Sequence, residues 1–429
     1  MSPKTGDWPL PFAKPEEVGF PSQRLARIRP GLQKFIDEQK VPNLVTMVAR
    51  HGKVVHYDVQ GYMDFESKKP AEKDTIFRLY SNSKPVTGVA TMILYEEGKL
   101  NLDDPVAKYI PAFKNSVVRV QADADREGPP PTPTLIPTVP ARRGITLRDC
   151  LRNTTGLATP QRAPLAFLTE YRDVMMALGW YPGVKPKPMT FRERVELEAK
   201  LPLSFQPGTE FEYHVGYPLI GVVIEQIVGK TLEEFYQERI FKPLGMKDTS
   251  FYLPRGKLGR FPACYRPERQ GKEWKLAIAE RAETSEKVTG PKVYFGAGGD
   301  MGGILSTVAD YARFGQMLLN GGELDGVRIL GRKTVELMTS NHTGPIHIPL
   351  TGRGFGFGMG VGVHTGGSWR PIMRSIGAYG WGGAAGTTYF ADPKEDLLGV
   401  CFTQVLMHMM MPENTYQEEF ERLVYQALV

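Results

Sequence analysis

Ser81 and Lys84 stand three residues apart in the run Tyr80-Ser81-Asn82-Ser83-Lys84-Pro85-Val86-Thr87, at the point where a helical pattern begins. Residues three apart share one face of a helix, so a serine hydroxyl and a lysine ammonium at this spacing can meet. A helix N-terminus holds positive potential and favours anionic species beside it. A lysine desolvated there can work as a base on the serine, which makes the pair a candidate for covalent acyl transfer. Ser83 neighbours Lys84 and points to another face. Taken alone, S-x-x-K is equally the mark of an N-cap serine followed by a solvated lysine, so the surrounding sequence carries the decision.

Other chemistries find little footing. No serine sits in G-x-S-x-G, and there is no H-E-x-x-H and no C-x-x-C. Gly229-Lys230-Thr231 resembles the end of a phosphate-binding loop, but the earlier glycine that such a loop needs falls on Ile224. Seven histidines are dispersed without metal-ligand spacing, and His214 draws notice only because Tyr213 precedes it. Cys150, Cys264 and Cys401 are odd in number and far apart, so buried small hydrophobes are expected rather than a disulfide framework or a zinc site. The net charge is +6, but lysine and arginine are scattered and no basic run is interleaved with aromatics, which speaks against nucleic-acid binding. The longest apolar run, around Leu219 to Ile224, is broken by Glu225 and is too short to cross a membrane. Met1 to Leu10 carries Asp7 and two prolines and has no apolar core, so a secretory signal is not expected and a cytoplasmic location is the default.

The elements that must position Ser81 and Lys84 follow from periodicity. With 429 residues, 41% apolar and 23% charged, the chain can build one large domain or two lobes sharing a cleft. Leu25, Ile28, Leu32 and Ile36 predict an amphipathic helix over Pro21 to Gln39. Leu44 to Ala49 and Val54 to Val59 flank His51-Gly52-Lys53 and predict a hairpin. A helix from about Asn82 to Glu97 ends at Gly98. Shorter helices are expected at Ile145 to Asn153, Pro218 to Gly229 and Leu232 to Ile240. Gly354 to Val363 alternates glycine with apolar residues and predicts a strand with one bare face, against which something packs closely. Thr387 to Phe390 and Leu397 to Gln404 complete the strands, and Thr415 to Leu428 closes the chain as a helix. Strands at both ends and helices between them predict an α+β fold. An antiparallel sheet lobe is expected from residues 1–80 and 290–429, and an inserted, mainly helical lobe from 81–289. Within the insert, 123–140 holds six prolines and reads as a surface excursion.

The context of the Ser-x-x-Lys run is specific. Thr75-Ile76-Phe77-Arg78-Leu79-Tyr80 precedes it, Glu96-Glu97-Gly98-Lys99-Leu100-Asn101-Leu102-Asp103-Asp104-Pro105-Val106 follows, and then comes Ile145-Thr146-Leu147-Arg148-Asp149-Cys150-Leu151-Arg152-Asn153-Thr154-Thr155-Gly156-Leu157. Together they resemble the serine β-lactamase and penicillin-binding-protein superfamily, and more narrowly the family VIII carboxylesterases, whose β-lactamase relatives are of class C. The resemblance runs over nearly the whole chain and implies the DD-peptidase-like fold of that superfamily.

The resemblance also implies roles. Pro207-Gly208-Thr209-Glu210-Phe211-Glu212-Tyr213-His214-Val215-Gly216-Tyr217 holds the place of the Tyr-x-Asn motif, so Tyr213 would be the catalytic tyrosine, with Tyr217 as its rival and His214 beside it as a wall of the substrate site rather than the base. Val215 replaces an asparagine that helps to bind β-lactam amides. Gly380-Trp381-Gly382-Gly383-Ala384 holds the place of Lys-Thr-Gly, and Trp381-Gly382-Gly383 is the form found in family VIII esterases. A tryptophan offers an apolar face where a lysine would bind a carboxylate, and the glycines let substrate approach the strand. The N–H groups of Ser81 and Ala384 would form the oxyanion hole.

The expected reaction is two-step acyl transfer on a small-molecule ester, with Ser81 as nucleophile, Lys84 and Tyr213 as coupled proton carriers, and no metal or organic cofactor. Three alternatives stay open: a β-lactamase, peptidase or amidase using the same site, an acyltransferase in which an alcohol replaces water, and a catalytically silent penicillin-recognition module. The mark of the last would be loss of Lys84 or Tyr213, and both are present.

Overall fold

The computed structural model describes residues 9–120, 137–159, 171–179, 187, 189–213, 215–289, 296–298, 303–368 and 371–429. The first hairpin forms as its sequence dictates. β1 (Asn43–Arg50) and β2 (Lys53–Gly61) pair antiparallel across His51 and Gly52, whose φ values of 51° and 70° suit the tight turns that match strand twist. On its other edge β1 pairs with a strand from the far end of the chain. The remaining strands are β3 (Phe355–Phe357), β4 (Gly362–His364), β5 (Tyr379–Gly382), β6 (Thr388–Asp392) and β7 (Leu397–Phe402). The seven-stranded sheet runs β3-β4-β5-β6-β7-β1-β2, antiparallel throughout, with Val45 opposite Phe402 where the two ends of the chain meet.

Helices cover both faces of this sheet. α1 (Ile28–Asp37) and the closing α5 (Tyr416–Tyr425) pack on one face, where Phe35, Phe420 and Leu423 join Leu44, Val48 and Phe390 in one core. Side chains of this kind stabilise a fold by roughly 1.5–3 kcal/mol each when fully buried. α4 (Val308–Leu319) lies on the other face with α2 (Ser83–Glu96) and α3 (Tyr217–Val228), around a larger core that includes Val86, Ile220, Phe314 and Phe402. The architecture is α+β. No helix among the described residues is long and apolar enough to cross a membrane. Cys150, Cys264 and Cys401 are buried thiols.

Two sequence expectations are corrected. Pro21 to Gln39 is not one helix but two, Ser22–Leu25 followed by α1. Pro30 has no N–H to return to the carbonyl four residues earlier, and the break falls at that carbonyl, on Ala26 and Arg27. Gly354 to Val363 is not one strand either. β3 and β4 are partners, with Phe355 opposite His364 and Phe357 opposite Gly362. The turn between them closes through Gly358 N–H donating to the Val361 carbonyl at 2.8 Å. Gly360 turns the chain at φ +97°, a conformation that side-chain-bearing residues rarely adopt. The close approach expected from the glycines is nevertheless present. A Cβ on Gly360 would lie 2.5 Å from the Lys84 carbonyl oxygen, and one on Gly362 would lie 2.7 Å from the Trp381 ring. Of the proline-rich excursion, residues 121–136 lie outside the described residues, and Thr138–Pro140 pairs with Val117–Arg119.

Candidate active site

Ser81 does not lie inside α2. It sits on a separate 3-10 turn, Tyr80–Asn82, that feeds directly into that helix. Tyr80 precedes it at φ +47°, a left-handed conformation uncommon outside glycine, which presents Ser81 at the edge of an otherwise buried segment. Lys84, in the first turn of α2, is fully buried. Its ammonium nitrogen donates to Ser81 Oγ at 3.1 Å and also to the Gly298 carbonyl. The same nitrogen lies 4.5 Å from the centre of the Tyr213 ring and 5.2 Å from that of Tyr217. A buried cation needs such partners, since desolvation without them is severe.

The two tyrosines differ in what their oxygens do. Tyr217 is fully buried and its hydroxyl donates to the Leu151 carbonyl at 2.7 Å. Burial drives its pKa well above the ordinary value, with the neighbouring Tyr213 and Cys150 adding to the effect. Tyr213 is half-buried, and its oxygen accepts a hydrogen bond from Trp381 Nε1 at 2.7 Å. An indole N–H can only donate, so the Tyr213 oxygen must be the acceptor in that bond. The two rings lie 5.6 Å apart. Trp381 stands edge to face with Phe357 at 4.8 Å, and Phe211, Ile348 and Phe357 back both rings as a small buried cluster.

β5 delivers the third segment. Trp381 and Gly382 end that strand, and Gly383 begins a tight turn closed by its N–H donating to Thr387 O at 2.6 Å. A Cβ on Gly383 would lie 2.1 Å from the Leu79 carbonyl oxygen, so only glycine lets this turn approach the segment leading into Ser81. Gly382 is roomier, with its nearest neighbour at 3.4 Å. Neither the Ser81 N–H nor the Ala384 N–H meets an acceptor among the described residues. Val215 is half-buried against the main core, and His214 lies outside the described residues.

The residues that hold this constellation were not singled out by their sequence. Ser83 Oγ accepts from the Ile304 N–H at 2.9 Å, Thr87 Oγ1 donates to the Ala297 carbonyl at 2.6 Å, and the Tyr311 hydroxyl donates to the Asn82 carbonyl at 2.8 Å. The turn Gly296–Gly298, part of the glycine-rich run before α4, thus lies along α2 and supplies the Gly298 carbonyl to Lys84. Its signal was the glycine density itself, which marks close backbone approach. Among the described residues no group of three or more His, Cys, Asp or Glu side chains could hold a metal ion. A cavity of about 300 Å³ near Met63, Lys69, Phe261 and Arg281 shares no residue with the site.

The Beta-lactamase family model matches residues 28–418. The chain belongs to that family. It is a hydrolytic enzyme of the serine β-lactamase and penicillin-binding-protein superfamily, and within it the chain is similar to the family VIII esterases. Protein Rv1367c of Mycobacterium tuberculosis is 32% identical over 380 residues, 86% of each chain. Esterase EstB of Burkholderia gladioli is 28% identical over 226 residues, 53% of this chain and 51% of that one. Among solved structures, EstCE1, described as a hydrolase with promiscuous acyltransferase activity, is 27% identical with a TM-score of 0.74, covering 94% of this chain and 99% of that one.

Proposed function

We propose that this chain is a carboxylesterase that cleaves short- to medium-chain neutral esters through an acyl-enzyme on Ser81. Ser81 Oγ attacks the ester carbonyl carbon while Lys84 or Tyr213 takes its proton, and the N–H groups of Ser81 and Ala384 receive the developing oxyanion. The proton passes to the leaving alcohol oxygen. Water then attacks the acyl-enzyme, gives its proton to the same pair, and releases the acid with the Ser81 hydroxyl restored.

The observation that carries this reading is the placement of Trp381. Its N–H donates to the Tyr213 oxygen and its ring joins an apolar cluster. The hydrogen bond and the Lys84 cation both favour negative charge on that oxygen, which suits a proton acceptor. The ring offers no charge to the carboxylate of a penicillin, and Val215 offers no amide to its acylamino group. Neutral esters are therefore the favoured substrates, with slow turnover of reactive cephalosporins as a side activity. Transfer of the acyl group to an alcohol instead of water is the second reading, favoured by the activity described for EstCE1.

The test compares nitrophenyl acetate and butyrate with a penicillin on one preparation, after which an organophosphate is used to label the nucleophile. kcat/KM is expected to be far higher for the esters, with the adduct on Ser81. Efficient penicillin hydrolysis with negligible ester cleavage, or an adduct on Ser83, overturns the reading. Adding a short alcohol and measuring the new ester by chromatography tests the transfer reaction.

A further inference from the structure

The segment after β7 carries Leu406-Met407-His408-Met409-Met410-Met411 and turns through a 3-10 helix at His408–Met410. Met411 and His408 point inward and are buried, whereas Met407, Met409 and Met410 are 44%, 58% and 51% exposed. Three large apolar side chains within four residues is an unusual surface for a folded chain, and such concentrations mark places where something binds. The location is specific. The Val405 N–H donates to the Ala385 carbonyl at 2.9 Å and the Met407 N–H donates to the Ala384 carbonyl at 2.7 Å. The segment is thus strapped to the turn that bears the proposed oxyanion donor, and that turn lies against Leu79, two residues before Ser81. Met407 adopts φ +57° at the start of the helix, a left-handed conformation that is uncommon for a side chain of this size.

Resting on the esterase reading above, we propose that Met407, Met409 and Met410 form an apolar rim of the ester site that binds a long hydrocarbon substituent of the substrate. Trp381 and the aromatic cluster behind it provide apolar surface beside Tyr213, and the methionine segment is tied by its backbone to the Ala384–Ala385 turn that follows Trp381. Methionine suits the task because its unbranched thioether adapts to chains of different shape. A charged or polar substituent would gain nothing from this rim.

The test uses a full-length variant carrying Met407→Ser, Met409→Ser and Met410→Ser, beside one carrying leucine at the same positions. Nitrophenyl acetate turnover should stay within about twofold of wild type in both, which also reports intact folding. For nitrophenyl octanoate and for octyl acetate, kcat/KM of the serine variant should fall about tenfold in at least one, mainly through KM, and the leucine variant should keep it. Tenfold is what losing on the order of 50–60 Å² of apolar burial removes. The series that responds tells whether the rim holds the acyl or the alcohol chain. Equal losses on acetate and the long esters, or no loss on either long ester, overturns the proposal. So does sedimentation showing a wild-type dimer that the serine variant dissolves, because the rim then lies between copies. A wild-type protein that cleaves no ester at all overturns the esterase reading itself, and the acetate measurement separates that outcome from failure of the rim alone.

Discussion

Lys84 divides the site into two regions built from the same residue types. On the helix side, Ser83, Thr87 and Tyr217 are buried, and each hydroxyl is consumed by backbone: Ser83 by Ile304, Thr87 by Ala297 and Tyr217 by Leu151. On the cleft side, Ser81 and Tyr213 are half-buried, and their oxygens meet side chains that act on charge, the Lys84 ammonium for Ser81 and the Trp381 indole for Tyr213. The difference teaches that residue type does not separate a reacting hydroxyl from a structural one. What separates them is whether the oxygen is already committed to the fold.

The sharpest way to break this contrast is the serine pair. Ser81→Ala should lower ester turnover by roughly 10⁴ or more, the scale seen when a covalent nucleophile is deleted, with the melting temperature nearly unchanged. Ser83→Ala should leave turnover within an order of magnitude and cost about 1–3 kcal/mol of stability, because the buried Ile304 N–H loses its acceptor. Steady-state kinetics and thermal melts on both variants check this, and a Ser81→Ala enzyme that still turns over would erase the distinction.

The tyrosine pair comes next. Tyr213→Phe should lower kcat by at least ~10², the usual worth of a positioned acid–base group. Tyr217→Phe should act on stability instead, since its hydroxyl serves the Leu151 carbonyl. If the two variants exchange these behaviours, the second motif is read in the wrong register.

How much of this was legible beforehand depends on the kind of signal. Ser81 with Lys84, and Tyr213 with Trp381, are short motifs whose chemistry is carried by residue type, and each stands on a recognisable element boundary. The hairpin at His51 and Gly52 was legible because only small sets of residues tolerate positive φ. The glycine run at 354–363 misled because period-two alternation is shared by a strand and by a tight hairpin, and the choice falls on the φ of Gly360, which no local pattern encodes. The commitment of Ser83 to Ile304 and of Lys84 to Gly298 spans more than 200 residues of chain, beyond the reach of any local rule.

Trp381→Phe sharpens the contrast further, because it keeps an apolar ring and deletes only the N–H given to Tyr213. If that donor favours charge on the Tyr213 oxygen, the rise of kcat/KM with pH should move upward by about one unit, as expected when a hydrogen bond of about 1.4 kcal/mol to a charged group is lost. Activity at neutral pH should fall about tenfold and recover at higher pH. A uniform loss at every pH would mean that the indole serves only as a wall.

The smallest expected effect on catalysis comes from a buried polar atom outside the site, and it tests whether lacking a partner is enough to mark a functional group. Asp310, in the first turn of α4, is fully buried. Its Oδ2 accepts from the Asp248 N–H at 2.7 Å and from the Thr249 hydroxyl at 2.9 Å, while Oδ1 has no partner among the described residues. Burial pushes its pKa up to about 7, against the pull of those two hydrogen bonds and with Asp248 adding to the rise and Lys257 opposing it. The folded chain therefore holds a proton that the unfolded chain, with an ordinary carboxyl near 3.9, has already lost. Stability from this group is intact below about pH 4, falls as the pH rises toward 7, and is level above that. Asp310→Asn keeps an oxygen for Asp248 and Thr249 and cannot ionise, so the variant should lose this part of the pH slope and be the more stable form at pH 8. Ester turnover should be unchanged. Denaturant melts at pH 5 and pH 8 decide the first point, and a drop in turnover would mean that α4 couples its N-terminus to Ser81.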